Sequence, residues 1–388
     1  MTLSIGRHTV ATPVVLAPMA GITNQAYRRL CREQLAAAGG EGVFVSEMVT
    51  SRALIERNDE SMRLIQHDPD EHPRSVQLYG VDPGTVAAAV RMLVDEGRAD
   101  HVDLNFGCPV PKVTRKGGGS ALPWKSGLFA AIVGQAVRAA ARADVPVTVK
   151  MRKGIDADHL TYLEAGRIAE DQGVAAVALH ARTAVDYYSG TAHWAAIAEL
   201  KQAVTTIPVL GNGDIWTGSD AVAMMARTGC DGVVVGRGCL GRPWLFADLG
   251  HALAGRAARE QPTLGQVLAT LRRHLELLVE HYAVGSDDAE CRACRDIRKH
   301  IAWYLKGYAV GHETRAALAM VDSLARFDHL VGELDGDQAY PGVVAEGPRG
   351  RTSGARGVSL PEGWLDSRDL DDLDVATIRD AELSVSGG

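Results

Sequence analysis

The sequence predicts an α/β protein: a TIM (β/α)8 barrel, followed by a small all-helical domain and an acidic, flexible C-terminal tail. Three observations predict it. Up to about residue 250, eight short β-rich runs alternate with amphipathic helical segments, the pattern of parallel strands with helices outside. From 262 to 330, apolar residues recur at helical spacing and no β-rich run intervenes. After residue 332, Gly, Pro, Asp and Glu dominate, with EGPRGRTSGARG in the middle. The boundaries that follow are 1–255 for the barrel, 256–332 for the helical domain and 333–388 for the tail.

Taken in order, the β-rich runs span 13–17, 42–47, 75–79, 101–105, 146–151, 175–180, 207–211 and 232–236. The clearest helical segments between them are 82–96, 125–142, 159–172 and 219–228. A doubly wound sheet is the competing architecture, but no G-x-G-x-x-G follows the first run, where a dinucleotide fold needs it. In the helical domain the stripe runs through Leu264, Val267, Leu268, Leu271, Leu275 and Leu278, and resumes at Ile297, Ile301, Tyr304 and Leu305. In the tail only an amphipathic stretch around 364–378 is suited to dock.

Composition narrows the function classes. The chain has 388 residues, 46% apolar and 23% charged, close to the soluble globular average. No apolar run reaches the roughly 18 residues of a membrane span, and the first residues lack the apolar core of a signal peptide. A cytoplasmic protein without a membrane partner is expected. The net charge is −7, and residues 331–388 carry all of it, with 12 acidic and five basic side chains. The body is neutral, so a nucleic-acid partner would need a local basic patch. The tail repels any such polyanion, so removing 333–388 is expected to leave activity intact or to raise affinity for a partner of that kind. Six cysteines in a chain of this size suggest no disulfide framework. Cys291 and Cys294 form one C-x-x-C without a second pair, which reads as two helix cysteines rather than a zinc site; no metal is expected.

Chemistry in such barrels sits at the C-terminal ends of the strands. Here those ends carry Lys150, His180 with Arg182 two residues on, Asn212-Gly213-Asp214 and Gly236-Arg237. Glycines after strands seven and eight let backbone N–H groups approach a phosphate, and Arg237 adds a forked cation. A phosphate-bearing cofactor such as flavin mononucleotide (FMN) fits these residues, and a phosphorylated sugar fits them equally. Cys108 follows strand four in Asn105-Phe106-Gly107-Cys108-Pro109. A thiol with an ordinary pKa of about 8.5 is mostly protonated at neutral pH and can act as acid or nucleophile. The loop after it is basic through Lys112, Arg115 and Lys116, and Gly117-Gly118-Gly119 predicts mobility. A buried packing role is the alternative for any free cysteine.

These strings together resemble the tRNA-dihydrouridine synthases, from the first strand to about residue 310. The telling pieces are Ala17-Pro18-Met19-Ala20-Gly21-Ile22-Thr23-Asn24, Asp103-Leu104-Asn105-Phe106-Gly107-Cys108-Pro109 and Gly211-Asn212-Gly213-Asp214-Ile215. Val149-Lys150-Met151-Arg152, His180-Ala181-Arg182-Thr183 and Arg298-Lys299-His300 add to them, and the order is similar to the bacterial B-type branch. The tail lies outside the resemblance. The resemblance implies an FMN barrel that reduces selected uridines of tRNA to 5,6-dihydrouridine, with NADPH as reductant; the sequence itself offers no sign of an obligate protein partner. It implies that Pro18, Met19 and Ala20 line the flavin, that Gln77 bonds its ring, and that Asn105 sits beside flavin and substrate. Lys150 and His180 would reach the ring and phosphate region, and Asn212, Gly213, Asp214, Gly236 and Arg237 would hold the ribityl and phosphate. Cys108 matches the family's catalytic cysteine, which protonates uracil carbon 5 after hydride reaches carbon 6.

The helical domain then reads as an RNA platform. Arg295, Arg298, Lys299 and Lys306 recur at helical spacing, with His300, Trp303 and Tyr304 available to stack. Arg182, Lys112, Arg115 and Lys116 complete the expected tRNA contacts. A solvated charged face is the plain alternative. Two other functions compete: a flavin barrel acting on a free pyrimidine or enone, and a non-catalytic tRNA-binding protein. The first has no need of residues 262–330, and the second has none of Cys108.

Overall fold

The computed structural model describes residues 2–283, 288–350 and 354–383. Ten strands form within them. β1 (Leu3–Ile5) and β2 (His8–Val10) make an antiparallel hairpin, and the other eight close a barrel. These are β3 (Val14–Leu16), β4 (Val43–Thr50), β5 (Ser75–Tyr79), β6 (His101–Phe106), β7 (Val147–Arg152), β8 (Ala176–His180), β9 (Val209–Asn212) and β10 (Gly232–Val235). All pair in parallel, and the ring closes where Val233 of β10 sits opposite Val14 of β3. Each expected β-rich run overlaps one of them, with ends that differ by up to three residues. The expected helices form as Pro83–Asp95, Ser126–Ala140, Tyr162–Asp171 and Gly218–Thr228. Their starts carry the usual devices: Asp82 accepts from the N–H of Thr85 with Pro83 following, and Thr217 and Asp220 form a capping box.

The hairpin has no counterpart in the sequence reading, because three-residue strands show no period. It plugs the N-terminal mouth. Leu3, Ile5 and Val10 are buried against the barrel interior made by Val15, Ala17, Val43, Val45, Ala176, Ala178, Leu210 and Val234. With that end filled by apolar side chains, each worth about 1.5–3 kcal/mol when fully buried, the barrel opens only at its C-terminal face.

The helical domain comprises Leu264–Ala283, Ala289–Tyr304, His312–Leu318 and Leu324–Gly332. Its leucine stripe packs into one apolar cluster with Ala26, Leu30 and Trp244 of the barrel region. The two parts therefore share a core. No helix among the described residues is long and apolar enough to cross a membrane.

The tail departs from the expectation of flexibility. Part of it is anchored on the rest of the chain: Ala345, Trp364 and Ile378 are buried, and Lys125 pairs with Asp374 at 2.6 Å with both side chains almost fully covered. The amphipathic stretch around 364–378, which was expected to dock, supplies two of these anchors, Trp364 and Ile378.

Candidate active site

The C-terminal ends of the strands surround a cavity of about 670 Å³. Pro18, Met19, Ala20, Gln77, Asn105, Lys150, His180, Asn212, Gly213, Asp214, Gly236 and Arg237 all line it, as do Cys108 and Lys112. Barrel closure brings these distant stretches together.

The floor is polar and fixed. Asp103 on β6 is buried, accepting from Gln77 Nε2 at 2.7 Å and from Thr148 Oγ1 at 2.6 Å. Burial pushes the Asp103 carboxyl up to about 6, against the pull of those two donors and of Lys150. Thr148 spends its proton on Asp103, so it accepts from His101 Nε2 at 2.8 Å, and His101 Nδ1 accepts from Ser75 at 2.6 Å. Burial pulls His101 down to about 3, which keeps it neutral in that chain of bonds. The chain of bonds holds the Gln77 amide in one orientation at the cavity wall.

One side of the cavity is cationic. Burial, then the charge of Arg152, pulls Lys150 down to about 8, against Asp103 and Cys108. Burial drives His180 well below its usual pKa, with Arg152, Lys150, Arg182 and Arg237 adding to the effect, so it is a neutral imidazole. Burial and then Arg182 also lower Arg237. Cations crowded in this way favour a bound anion. The Arg237 guanidinium lies 4.4 Å from the ring centre of Tyr188 and 5.5 Å from that of Trp216. Arg152 ties two rims together: its Nε donates to Gly107 O at 3.0 Å, and its Nη1 to Thr183 O at 2.7 Å and Tyr187 O at 2.8 Å.

Arg152, Tyr188 and Trp216 line the site but were not singled out from the sequence. The signal for Arg152 was present, since strand alternation puts it on the face of Lys150. Tyr188 and Trp216 stand on loops, where no period exists. Asp214 lies at φ +55 and accepts from Ala192 N at 2.6 Å. Its carboxylate also pairs with Arg182 at 2.9 Å. Arg182 corrects an expectation: it is 2% exposed, and its guanidinium donates to Ser189 O, Gly190 O and Asp214. It braces the loop after β8 from a buried position.

Cys108 is half-buried on the rim just after β6, beside the end of β7 that carries Lys150 and Arg152. The Asn105 side chain accepts from the N–H groups of Gly107 and Cys108, both at 3.0 Å, and this local turn sets the cysteine's place. Behind it, the glycine triplet corrects the expectation of mobility. A Cβ at Gly117 would lie 2.5 Å from Trp364, at Gly118 2.6 Å from Tyr79, and at Gly119 2.4 Å from the carbonyl oxygen of Cys108. The glycines permit close packing. Lys112, Arg115 and Lys116 stand on and just after the short helix Pro111–Thr114.

The expected RNA platform is partly rearranged. Arg295 and Lys299 are exposed on the helix Ala289–Tyr304, and Lys299 approaches Gly21 of the β3 loop. Arg298 instead donates to the carbonyls of Met320 and Val321. Lys306 lies beyond the helix end and donates to Glu346 O at 2.7 Å, so seven-residue spacing does not apply to it. His300 and Tyr304 are buried beside His274, whereas Trp303 lines the cavity. Cys291 and Cys294 sit on the same helix, with Cys294 buried.

Residues 15–334 match the dihydrouridine synthase (Dus) family. Over 381 residues, 98% of this chain and 96% of the relative, the sequence is 57% identical to a probable tRNA-dihydrouridine synthase of Mycobacterium tuberculosis. A probable tRNA-dihydrouridine synthase of Mycobacterium leprae is 54% identical over 96% of this chain and all of its own length. tRNA-dihydrouridine synthase B of Xanthomonas campestris is 40% identical over 81% of this chain and 90% of its own.

Proposed function

Because the chain belongs to the dihydrouridine synthase family, we propose that it reduces specific uridines of tRNA to 5,6-dihydrouridine, using FMN with NADPH as reductant. One observation carries the reading: Cys108 and the cationic cluster around His180 share one cavity. The donor set suits FMN. Lys150, Arg152 and Arg237 are each depressed by burial and then by a neighbouring arginine, Arg152 for Lys150 and Arg182 for the other two, a cost that a phosphate dianion reverses. Ala17, Pro18, Met19 and Met48 give an apolar wall for a ring, and Gln77 a fixed polar edge.

When bound, the flavin supplies hydride to uracil carbon 6. Cys108 then gives its thiol proton to carbon 5, so that the C5–C6 double bond gains two hydrogens and the thiolate is reprotonated from solvent. Positioned acid catalysis of this kind contributes about 10²–10⁴-fold. A stacked base cannot meet both groups at once, so the uridine leaves its stack to enter the cavity. Trp303 offers it an aromatic edge, while Lys112, Arg115, Lys116, Arg295 and Lys299 meet backbone phosphates. The barrel is thus the catalytic unit and the helical domain the tRNA platform.

Two outcomes test the cofactor and the platform. Lys150→Ala and Arg237→Ala should each weaken flavin retention by about 10- to 100-fold, as expected for one charge-assisted bond of roughly 1.5–3 kcal/mol. Fluorescence titration of the deflavinated protein measures it, and full retention in both variants would remove the phosphate assignment. Affinity for tRNA should fall with salt at a log–log slope near −0.7 per phosphate neutralised. Arg295→Glu with Lys299→Glu should flatten that slope and leave the flavin spectrum unchanged. A filter-binding series in which the double variant keeps the parent slope would move the platform elsewhere.

A further inference from the structure

The family match ends at residue 334, well before the chain does. The extension is anchored on residues 117–125, which directly follow the loop that carries Cys108. Trp364 is 1% exposed and its Nε1–H donates to Ala121 O at 3.1 Å. Its ring covers Gly117. The Lys125 ammonium lies 5.0 Å from the centre of that ring, pairs with Asp374, and donates to Ser367 O at 3.0 Å and Asp369 O at 2.9 Å. Trp124 Nε1 donates to Ser367 O at 3.0 Å, and Arg368 Nε to Trp124 O at 2.7 Å.

The same stretch holds the cysteine. The backbone N–H of Ser120 donates to Cys108 O at 3.0 Å, and its hydroxyl to the same oxygen at 3.2 Å. Ser120 directly precedes Ala121, the acceptor for Trp364. The loop has little support of its own, since its helix Pro111–Thr114 is four residues long and cannot stand alone.

We propose that Trp364 is a positioning residue, and that the extension is a strut fixing the loop that carries Cys108 over the cavity. This rests on the reading of Cys108 as proton donor. It also reverses the expectation that residues 333–388 are dispensable: the acidic composition that suggested a solvated tail is carried on a segment with buried anchors.

Three full-length variants test it: Trp364→Ala, Trp364→Phe and Cys108→Ala, each assayed for flavin reduction by NADPH and for flavin reoxidation by tRNA. Trp364→Ala should hold flavin and be reduced at the parent rate, while reoxidation slows by about 10- to 100-fold, the cost of misplacing a reacting group by up to about 1 Å. Trp364→Phe keeps a ring over Gly117 and loses one donor, so it should recover to within about threefold of the parent. Backbone amides at 117–122 should exchange faster in Trp364→Ala, with barrel strands unchanged. Parent-like reoxidation, or unchanged exchange at 117–122, overturns the strut. So does loss of flavin, because a strut on this loop leaves the phosphate side untouched. Cys108→Ala separates two failures. If it is slow while Trp364→Ala is fast, the strut alone is wrong; if both are fast, the cysteine's role falls and the strut with it.

Discussion

Cys108→Ala should leave anaerobic flavin reduction by NADPH near the parent rate and slow reoxidation by tRNA by about 10²-fold or more, the lower end of general-acid catalysis. The first half-reaction is complete before uracil arrives and needs no acid at carbon 5. The second creates negative charge on the ring that only a proton at carbon 5 discharges. The structure sharpens this expectation. Asn105 fixes the backbone of Gly107 and Cys108 from one side and Ser120 from the other, so the alanine variant keeps its loop and loses only the thiol. Cys108→Ser should rescue little, because a hydroxyl is a far weaker acid. A packing role for the cysteine makes a different forecast: reduced thermal stability, with both half-reactions changed alike. Stopped-flow traces of the two steps distinguish the outcomes, and unchanged reoxidation in the alanine variant would take Cys108 out of the reaction.

The parts of this molecule that the sequence disclosed are those written in a repeating pattern. Parallel strands covered on both faces read as continuous apolar runs, so all eight barrel strands were visible in outline. Their C-terminal ends then nominated Lys150, His180, Asn212 and Arg237, and closure of the barrel put all four around one cavity. Where a pattern was extended past its element, it failed. Counting two residues on from His180 suggested an open Arg182, but β8 ends at His180 and the chain turns back over the guanidinium. Counting seven from Lys299 suggested a shared face with Lys306, but the helix ends at Tyr304, and Gly307 turns at φ +89. Long-range packing was legible only in part. The stretch 364–378 was nominated to dock, but its seat was not: Trp364 meets Gly117 across nearly 250 residues of chain, and nothing in the sequence pairs them.

Gly119→Ala should reproduce the kinetic signature of the missing thiol with the thiol still present. Gly119 lies at φ +55, and its added Cβ would stand 2.4 Å from the carbonyl oxygen of Cys108. That oxygen is already held by Ser120, so it cannot turn away without breaking those bonds. The loop must instead move by several tenths of an ångström, and displacement of a reacting group by about 1 Å costs up to about 10²-fold. Reoxidation by tRNA should therefore slow by about 10- to 100-fold while flavin content and reduction by NADPH hold. The strain of a left-handed alanine, about 1–2 kcal/mol, accompanies the substitution and needs its own control. Gly229→Ala supplies it: that residue lies at φ +71 with nothing within 4 Å of a Cβ. It should lose comparable stability by thermal melt and keep both half-reactions intact. If the two alanine variants melt alike and reoxidise alike, contact with the cysteine carbonyl does not govern the acid's position, and the glycine triplet serves backbone conformation alone.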